Sequence, residues 1–229
     1  MTMKNKNKKR NPIATALVAI GIIALIGAAL WYVRNLVEDI SAEHASREIV
    51  NELTSVIEKR TSGETADTDS DETKDYIDDY VDPVTDPTMK EMETEVVNDV
   101  AYIGIIEIPS ASLKLPVSYD WDYSLLSISP CRYKGSYLTD DMVICAHDYG
   151  SHFRAIRSLG IGESVFFTSV EGERIRYVVT NIETVQPTDI DKMIVNTSEG
   201  VEAHLWDLTL FTCNIGGQTR CAVRLERAK

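Results

Sequence analysis

Apolar and polar positions divide the chain into four stretches with different periodicities. Residues 13–33 form one apolar run that contains no charged side chain. In residues 34–60, apolar positions recur at mostly three- to five-residue steps, without glycine or proline. Residues 61–100 are polar and acidic, whereas residues 101–229 contain short β-favouring runs between turn signals. The pattern predicts an apolar helix, a second helical segment, an unstructured linker and a β-rich domain.

The apolar run is long enough to cross a membrane as a helix. Its 21 residues would extend about 30 Å, the thickness of a bilayer's hydrocarbon core. Trp31 and Tyr32 stand near its end, where aromatic rings favour the membrane interface. Residues 1–12 form a basic tail, and Arg34 is the one basic residue just after the run, which predicts a cytoplasmic N-terminus and an extracellular domain. We expect a single-pass signal anchor in the cell membrane, with a cleaved signal peptide as the alternative.

Two segments separate the apolar run from the β-rich domain. Residues 34–60 are expected to form a helical stalk, either as a spacer or as a helix for a partner. Residues 61–100 carry 2 Lys+Arg against 14 Asp+Glu, so −12 of the chain's net charge of −13 lies there. Such a segment buries too little apolar surface to offset the entropy of ordering, so we expect a largely disordered, extended linker. Two pieces of it, 76–81 and 89–97, are alternatively candidates for a lid.

The β-rich domain is expected to contain seven or eight strands. Short helices fit at residues 121–128, 153–159 and 189–194. This number of strands in 129 residues predicts a mainly β fold, either a closed seven- to eight-stranded barrel or a sandwich. Seven strand-like runs are bounded by turn signals: Tyr102–Ile108, Leu113–Tyr119, Met142–His147, Ser164–Thr168, Glu173–Val185, Trp206–Cys213 and Arg220–Glu226.

Charge and cysteine spacing exclude two classes of function. Phosphate neutralisation needs a basic face, and the only dense basic cluster lies in residues 1–12, so no nucleic-acid binding is expected. The cysteines show no CxxC pair and no Cys/His ligand spacing, so no structural zinc site is expected. The four cysteines are Cys131, Cys145, Cys213 and Cys221.

One segment brings a thiol and a guanidinium to adjacent strand ends. Cys213 ends the run 208–213, a six-residue loop follows, and Arg220 begins the next run. In an antiparallel hairpin the two residues face each other across the mouth of the loop. The guanidinium would favour the thiolate and would stabilise an oxyanion on a bound carbonyl. Cysteines are also common as small core residues, so this segment alone does not establish a nucleophile.

A histidine stands at a third strand end. Residues 142–146 read as a strand that leads into His147, and Asp148, Tyr149 and Gly150 then turn the chain away. A lone histidine is more often structural than catalytic. Because His147, Cys213 and Arg220 all lie at strand ends, their convergence in a nucleophilic site is expected.

The domain resembles the sortases, the membrane-anchored cysteine transpeptidases of Gram-positive bacterial surfaces. The TLxTC nucleophile motif of that family is matched by Thr209–Cys213, and its later arginine by Arg220. Its histidine motif, usually Gly-His-Asn, is here Ala146-His147-Asp148. The resemblance implies a sortase-like barrel over residues 102–227. Two further stretches agree in order and spacing: Tyr102–Pro109 and Tyr177–Pro187.

The resemblance implies a two-step acyl transfer without a metal or organic cofactor. Cys213 attacks the scissile carbonyl in the C-terminal sorting signal of a secreted protein, Arg220 stabilises the oxyanion or holds the substrate backbone, and His147 protonates the leaving amine. An amine from a peptidoglycan precursor or another protein then resolves the thioester. The alternatives are a surface cysteine protease with water as the acceptor and a catalytically idle sortase-like binding or scaffold protein.

Several details stay open in the sequence. Asp148 replaces the usual asparagine, and its carboxylate would favour the charged form of His147 if it pointed inward. Thr212 would either donate to the oxyanion or act as a strand spacer. The remaining cysteines are expected to be buried thiols, with a cross-strand pair of Cys145 and Cys221 as an alternative. The interval between residues 185 and 208 is short for the extra helix of class B sortases, and a second apolar span, usual in pilin-polymerising sortases, is not seen. We therefore expect a class D-like or unassigned subclass of sortase.

Overall fold

The computed structural model of this chain describes residues 12–63, 91–196 and 204–229. Three expectations from the sequence lie wholly or mostly outside the described residues. They are the basic tail, most of the acidic linker, and the lid candidate at residues 76–81. The chain divides into two compact units, residues 1–40 and residues 41–229.

The first unit is a stretch of apolar helix. It belongs to α1 (Pro12–Ser62), whose most apolar 18-residue window has a mean hydropathy of 2.4 and no buried residues. Leu25 and Trp31, for example, are 72% and 68% exposed. By length and composition the helix can cross a membrane, and it suggests a single-pass membrane anchor.

The second unit contains a closed β-barrel. Eight strands follow one another around it in the order β2-β3-β4-β5-β10-β11-β7-β6, and β6 pairs back with β2. The expected mainly β barrel with short helices is therefore confirmed. The strands among the described residues are β1 (Glu95–Val97), β2 (Val100–Ile108), β3 (Leu113–Ser118), β4 (Cys131–Lys134), β5 (Met142–Cys145), β6 (Ser164–Ser169), β7 (Arg174–Val185), β8 (Val195–Asn196), β9 (His204–Leu205), β10 (Leu208–Cys213) and β11 (Arg220–Arg227).

Three strands outside the barrel closure are short. β1 pairs with the start of β2, and β8 pairs with β9 as a separate two-stranded sheet. The short helices are α2 (Ile190–Ile194) and 3₁₀ turns at Pro109–Ala111, Leu125–Ser127 and Phe153–Ser158. Three of these four lie within the helices that the sequence predicted.

β4 was missed by the sequence pattern because it is short and irregular. Its sequence, Cys-Arg-Tyr-Lys, offers one fully buried residue, Cys131, and its register with β5 shifts between Arg132 and Lys134. It meets β3 through a single parallel pair, Ser118 with Cys131. A four-residue strand of this kind has no alternation long enough to be recognised.

The barrel interior is filled by alternate residues of seven of the eight barrel strands, all except β4. Gly104 is the position where the closure of the barrel leaves no room for a side chain. Its φ is +157°, and a Cβ there would lie 2.2 Å from the carbonyl oxygen of Thr168 on β6. Glycine therefore permits β2 to approach β6 closely enough to pair.

The second half of α1 packs on the barrel, which differs from the expected stalk. Its buried residues include Ile49, Leu53 and Ile57, which belong to one apolar cluster with Tyr102 and Ile105 of β2. The same spacing of apolar positions that predicted a helix creates the face that docks. Sequence periodicity identified the helix, but it did not identify the surface that covers it.

Residues of the expected linker also join the folded unit. Val97 of β1 is 2% exposed and belongs to the cluster beneath α1, and Met92 packs against the barrel core. The folded unit thus begins before residue 101, where the sequence pattern placed its start. Of the lid candidate 89–97, the described part docks as a strand and its lead-in.

Candidate active site

The three predicted site residues lie at the ends of adjacent strands. Cys213 is the last residue of β10 and is the Cα partner of Arg220, the first residue of β11. β5 runs parallel to β10 on its other side, with Cys145 opposite Phe211. His147 follows two residues after Cys145, as Cys213 follows two residues after Phe211. The topology therefore brings the imidazole, thiol and guanidinium to one end of the barrel.

The three side chains also share one face of the sheet. Successive residues of a strand point to opposite faces, so residues two apart point to the same face. His147, Cys213 and Arg220 thus lie on the outer face, because their neighbours two positions away belong to a buried cluster distinct from the barrel core. Those neighbours are Cys145, Phe211 and Ala222.

Cys213 and Arg220 are connected by a loop with several internal hydrogen bonds. Asn214 donates its backbone N–H to the carbonyl of Thr219 at 2.9 Å and its side-chain Nδ2 to Thr219 Oγ1 at 2.8 Å. Arg220 Nη1 donates to the carbonyl oxygen of Gly217 at 2.9 Å. Cys213 is partly exposed and carries a free thiol. The loop therefore binds one arm of the Arg220 guanidinium, and the partly exposed thiol of Cys213 lies at the end of the paired strand.

His147 is partly buried and is flanked by two aromatic rings. The ring of Tyr149 lies 4.9 Å from the imidazole centroid, and the ring of Tyr123 packs edge-on at 5.5 Å. Burial lowers the pKa of His147 below its usual range because a charged imidazolium loses solvation there. The neutral imidazole is therefore favoured. The sequence did not point to Tyr123, which reaches His147 from a loop and is 72% exposed.

Asp148 pairs with arginine rather than with the imidazole. Its Oδ1 lies 3.0 Å from Arg157 Nη2 and 3.7 Å from Arg154 Nε. Its backbone carbonyl accepts a hydrogen bond from Arg154 Nη2 at 2.9 Å. The condition under which Asp148 would promote the charged form of His147 is therefore not met. Instead, Asp148 ties the end of β5 to the 3₁₀ turn that contains both arginines.

Thr212 is a structural tether between the two strands that carry the thiol and the imidazole. Its hydroxyl is buried and donates to the carbonyl oxygen of Ala146 at 2.8 Å. The adjacent residues are Cys213 on one strand and His147 on the other. Because its proton is committed to Ala146, Thr212 is not an oxyanion donor in this structure, and the spacer interpretation describes it better.

The other cysteines are buried thiols. Cys145 and Cys221 do not face each other, because β10 lies between their strands and because the two belong to different clusters, on opposite faces of the sheet. The cross-strand pair considered from the sequence is therefore not formed. Burial raises the pKa of all three, most strongly that of Cys145. Across the described part of the chain, His, Cys, Asp and Glu form no group of three able to hold a metal ion.

Comparisons with known proteins agree with this fold. The family profile described as Sortase domain matches residues 106–228, more than half of the chain. None of the curated protein sequences matches the chain.

Similar folds occur in solved sortase structures. Sortase A from Corynebacterium diphtheriae is 21% identical, with a TM-score of 0.48, over 57% of this chain and 62% of that one. Sortase C from Streptococcus pneumoniae is 23% identical, with a TM-score of 0.48, over 56% of this chain and 67% of that one. Sortase C1 from Streptococcus suis is 24% identical, with a TM-score of 0.45, over 56% of this chain and 73% of that one. The chain thus spans less than two thirds of the first of these proteins.

Proposed function

Because the chain belongs to the sortase family, we propose that it is a cysteine transpeptidase with Cys213 as its nucleophile. The substrates would be secreted proteins with a C-terminal sorting signal, and the acceptor would be an amine of a peptidoglycan precursor or of another protein. One observation carries the proposal. Cys213 ends β10, Arg220 begins the paired strand β11, and His147 follows two residues after the end of the adjacent strand β5, all at one end of the barrel.

The first half-reaction forms a thioester. The Cys213 thiol transfers its proton to a ring nitrogen of His147, and the thiolate attacks the scissile carbonyl carbon. Arg220 donates to the oxyanion of the tetrahedral intermediate, or holds the substrate backbone next to it. When the C–N bond breaks, the His147 imidazolium gives its proton to the leaving amine. The acyl group remains on Cys213 sulfur.

The second half-reaction reverses these roles. The acceptor amine attacks the thioester carbonyl, and the neutral imidazole accepts its proton. The C–S bond breaks, and the proton on His147 returns to the Cys213 thiolate. Burial lowers the pKa of His147, so the resting enzyme near neutral pH holds a neutral imidazole that can act as the base.

The proposed setting is the outer surface of the cell membrane. Residues 13–33 would be the membrane anchor and residues 1–12 the cytoplasmic tail. Residues 61–100, expected from the sequence to extend the reach of the domain, would not do so while α1 residues such as Leu53 are docked on the barrel. Residues 41–57 precede the linker and are then already part of the domain.

The full-length protein in detergent, incubated with sorting-signal peptides and amine acceptors, tests the proposal by mass spectrometry. We expect a cleaved peptide joined to the amine, and we expect Cys213→Ala to abolish it. Cys221→Ala is the matched control, because Cys221 is a buried thiol on the opposite face of the sheet. Substantial turnover by Cys213→Ala would refute Cys213 as the nucleophile. Cleavage without transfer to any amine would favour the protease alternative.

One of the two motives for the catalytically idle alternative is weaker in this structure. That alternative was motivated by Asp148 beside His147 and by the long stalk. Because Arg157 and Arg154 compensate the carboxylate of Asp148, the substitution leaves His147 without a new charged partner. A protein that bound sorting-signal peptides but neither cleaved them nor formed a covalent adduct at Cys213 would restore that alternative.

A further inference from the structure

Two buried thiols outside the proposed mechanism face each other across β4 and β5. Cys131 and Cys145 are Cα partners in this antiparallel pair. Both side chains belong to the cluster on the outer face, and they are 0% and 3% exposed. Both are free cysteines in this structure. The fold therefore places a pair of thiols side by side in an apolar environment.

The backbone geometry suits a covalent link. Residues directly opposite each other in an antiparallel pair have Cα atoms about 4.5–5.5 Å apart, and disulfides span Cα separations of about 4.4–6.8 Å. Opposed Cβ atoms in such a pair lie about 4.5–5.5 Å apart, against about 3.5–4.5 Å in a disulfide, so the adjustment that remains is a small approach of the two Cβ atoms. β4 can supply it, because its register with β5 shifts just after Arg132 and it meets β3 through a single pair.

The other two cysteines have no equivalent partner. Cys221 is the Cα partner of Thr212 on one side and of Thr184 on the other. Cys213 is the Cα partner of Arg220, and its thiol is partly exposed. Cys145 is thus directly opposed by one cysteine alone, Cys131.

We propose that Cys131 and Cys145 form an intramolecular disulfide under oxidising conditions. The oxidant is a small-molecule disulfide or the disulfide of a thiol-exchange protein. One cysteine thiolate attacks the oxidant and releases its first thiol, and the second cysteine thiolate then attacks the mixed disulfide and releases the other thiol. Two protein thiols lose two protons and two electrons in total, one S–S bond forms, and the oxidant is reduced to two thiols.

The link would fix the strand that leads to His147. Cys145 is the last residue of β5, two positions before the imidazole, whereas β4 is otherwise joined to its neighbours by few pairs. Closing the loop from residue 131 to residue 145 would restrict the unfolded chain and hold β4 in register. The disulfide would also occupy Cys145, the thiol two residues before His147.

Burial determines when the link forms. It raises the pKa of both Cys131 and Cys145, so the thiolates that exchange requires are scarce in the folded domain. We expect slow oxidation of the folded, reduced protein and fast oxidation during refolding. An extracellular location, which is part of the proposed function, would provide these conditions when the protein first folds.

Peptide mapping of the full-length protein tests the proposal. The protein is refolded in detergent with oxidised and reduced glutathione, free thiols are blocked with iodoacetamide, and a non-reducing digest is analysed by mass spectrometry. We expect a peptide pair linked through Cys131 and Cys145, about 2 Da lighter than the two reduced peptides together, with Cys213 and Cys221 alkylated. Alkylation of all four cysteines under oxidising conditions, or a link between Cys145 and Cys213 instead, would overturn the proposal.

Thermal unfolding provides a second measurement. For a closed loop of 15 residues, oxidation should raise the unfolding midpoint by about 6–12 °C. Cys131→Ala should lose this increase, and Cys221→Ala, an equally buried control, should keep it. An equal increase in Cys131→Ala would show that the stabilisation has another source.

The test is independent of catalysis. Cys213→Ala should form the same linked peptides, because Cys213 takes no part in the exchange. A failure of the proposed transpeptidase activity would leave this result unchanged. Loss of the link in Cys213→Ala would instead show that Cys213 mediates the oxidation, and it would overturn direct exchange at Cys131 and Cys145.

Discussion

Shortening Leu53 to alanine tests whether the second half of α1 belongs to the folded domain. Leu53 is completely buried, and it lies in the apolar cluster that joins Ile49 and Ile57 of the helix to Tyr102 and Ile105 of the barrel. A free stalk would leave this side chain in water. The cost of Leu53→Ala therefore measures the packing of the helix on the barrel.

The expected magnitude follows from the atoms that are removed. Leu→Ala deletes the equivalent of three buried carbon groups, which costs about 2.4 kcal/mol in transfer free energy at about 0.8 kcal/mol each. A residual cavity adds to this, and buried Leu→Ala changes lie at about 2–5 kcal/mol. The slightly better helix propensity of alanine recovers a few tenths of a kcal/mol. We expect a loss of about 2–4 kcal/mol in the free energy of unfolding.

Denaturant unfolding of the full-length protein in detergent, followed by tryptophan fluorescence, measures this loss. Ile161→Ala is the control, because Ile161 is 65% exposed, and such a surface change should cost about 0.5 kcal/mol or less. If the two variants had equal free energies of unfolding, α1 after residue 40 would not pack on the barrel in solution. The stalk predicted from the sequence would then be the better description.

Two further predictions concern the proposed active site. If Arg220 donates to the oxyanion, Arg220→Ala should lower kcat by about 10²- to 10³-fold on a peptide that the parent cleaves. Arg220→Lys should restore only part of this activity, because lysine lacks the planar fork of the guanidinium. An effect confined to KM would assign Arg220 to substrate binding. Burial lowers the pKa of His147 in the folded state, so the unfolded chain takes up a proton first, below a pH of about 6.5. Acidification should therefore destabilise the parent more than His147→Gln in urea unfolding at pH 7 and pH 5, and equal losses would contradict the burial of the imidazole.

The hairpin of the candidate site was predictable because its signals are local. A run of strand-forming residues ends at Cys213, six turn-forming residues follow, and Arg220 begins the next run. The observed register places Cys213 opposite Arg220, as the hairpin predicted. The pairing of β10 with β5 was not predictable in this way. It is parallel and joins segments more than 60 residues apart, so no turn specifies it.

The sequence predicted the helices and strands better than it predicted which side chains contact each other. Asp148 is adjacent to His147 in the chain, yet its carboxylate binds Arg157, which the 3₁₀ turn returns to it nine residues later. Tyr123 reaches His147 from a loop between β3 and β4. Both contacts depend on the path of irregular segments. Apolar periodicity does not describe such segments, because their conformation is set by individual hydrogen bonds and turns.

Along β11, the alternation of apolar and polar residues does not reveal what covers the outer face near the candidate site. Arg224 shares the outer face with Arg220, and a charged residue on an alternating strand normally indicates solvent. Here its guanidinium is completely buried. It donates to Glu183 Oε1 at 3.0 Å, to Thr209 Oγ1 at 3.1 Å and to the carbonyl oxygen of Met193 at 2.5 Å.

These contacts place α2 over the outer face of the barrel. A helix of five residues is too short to be stable alone, and Arg224 binds the carbonyl oxygens of both Lys192 and Met193 near its end. Met193 in turn covers the cluster that contains Phe211 and Ala222. β10 and β11 are therefore buried on both faces at mid-strand, and exposure begins at Cys213 of β10 and Arg220 of β11. By covering the middle of the outer face, α2 leaves the strand ends with Cys213 and Arg220 as the accessible part. The reaction is proposed at these ends.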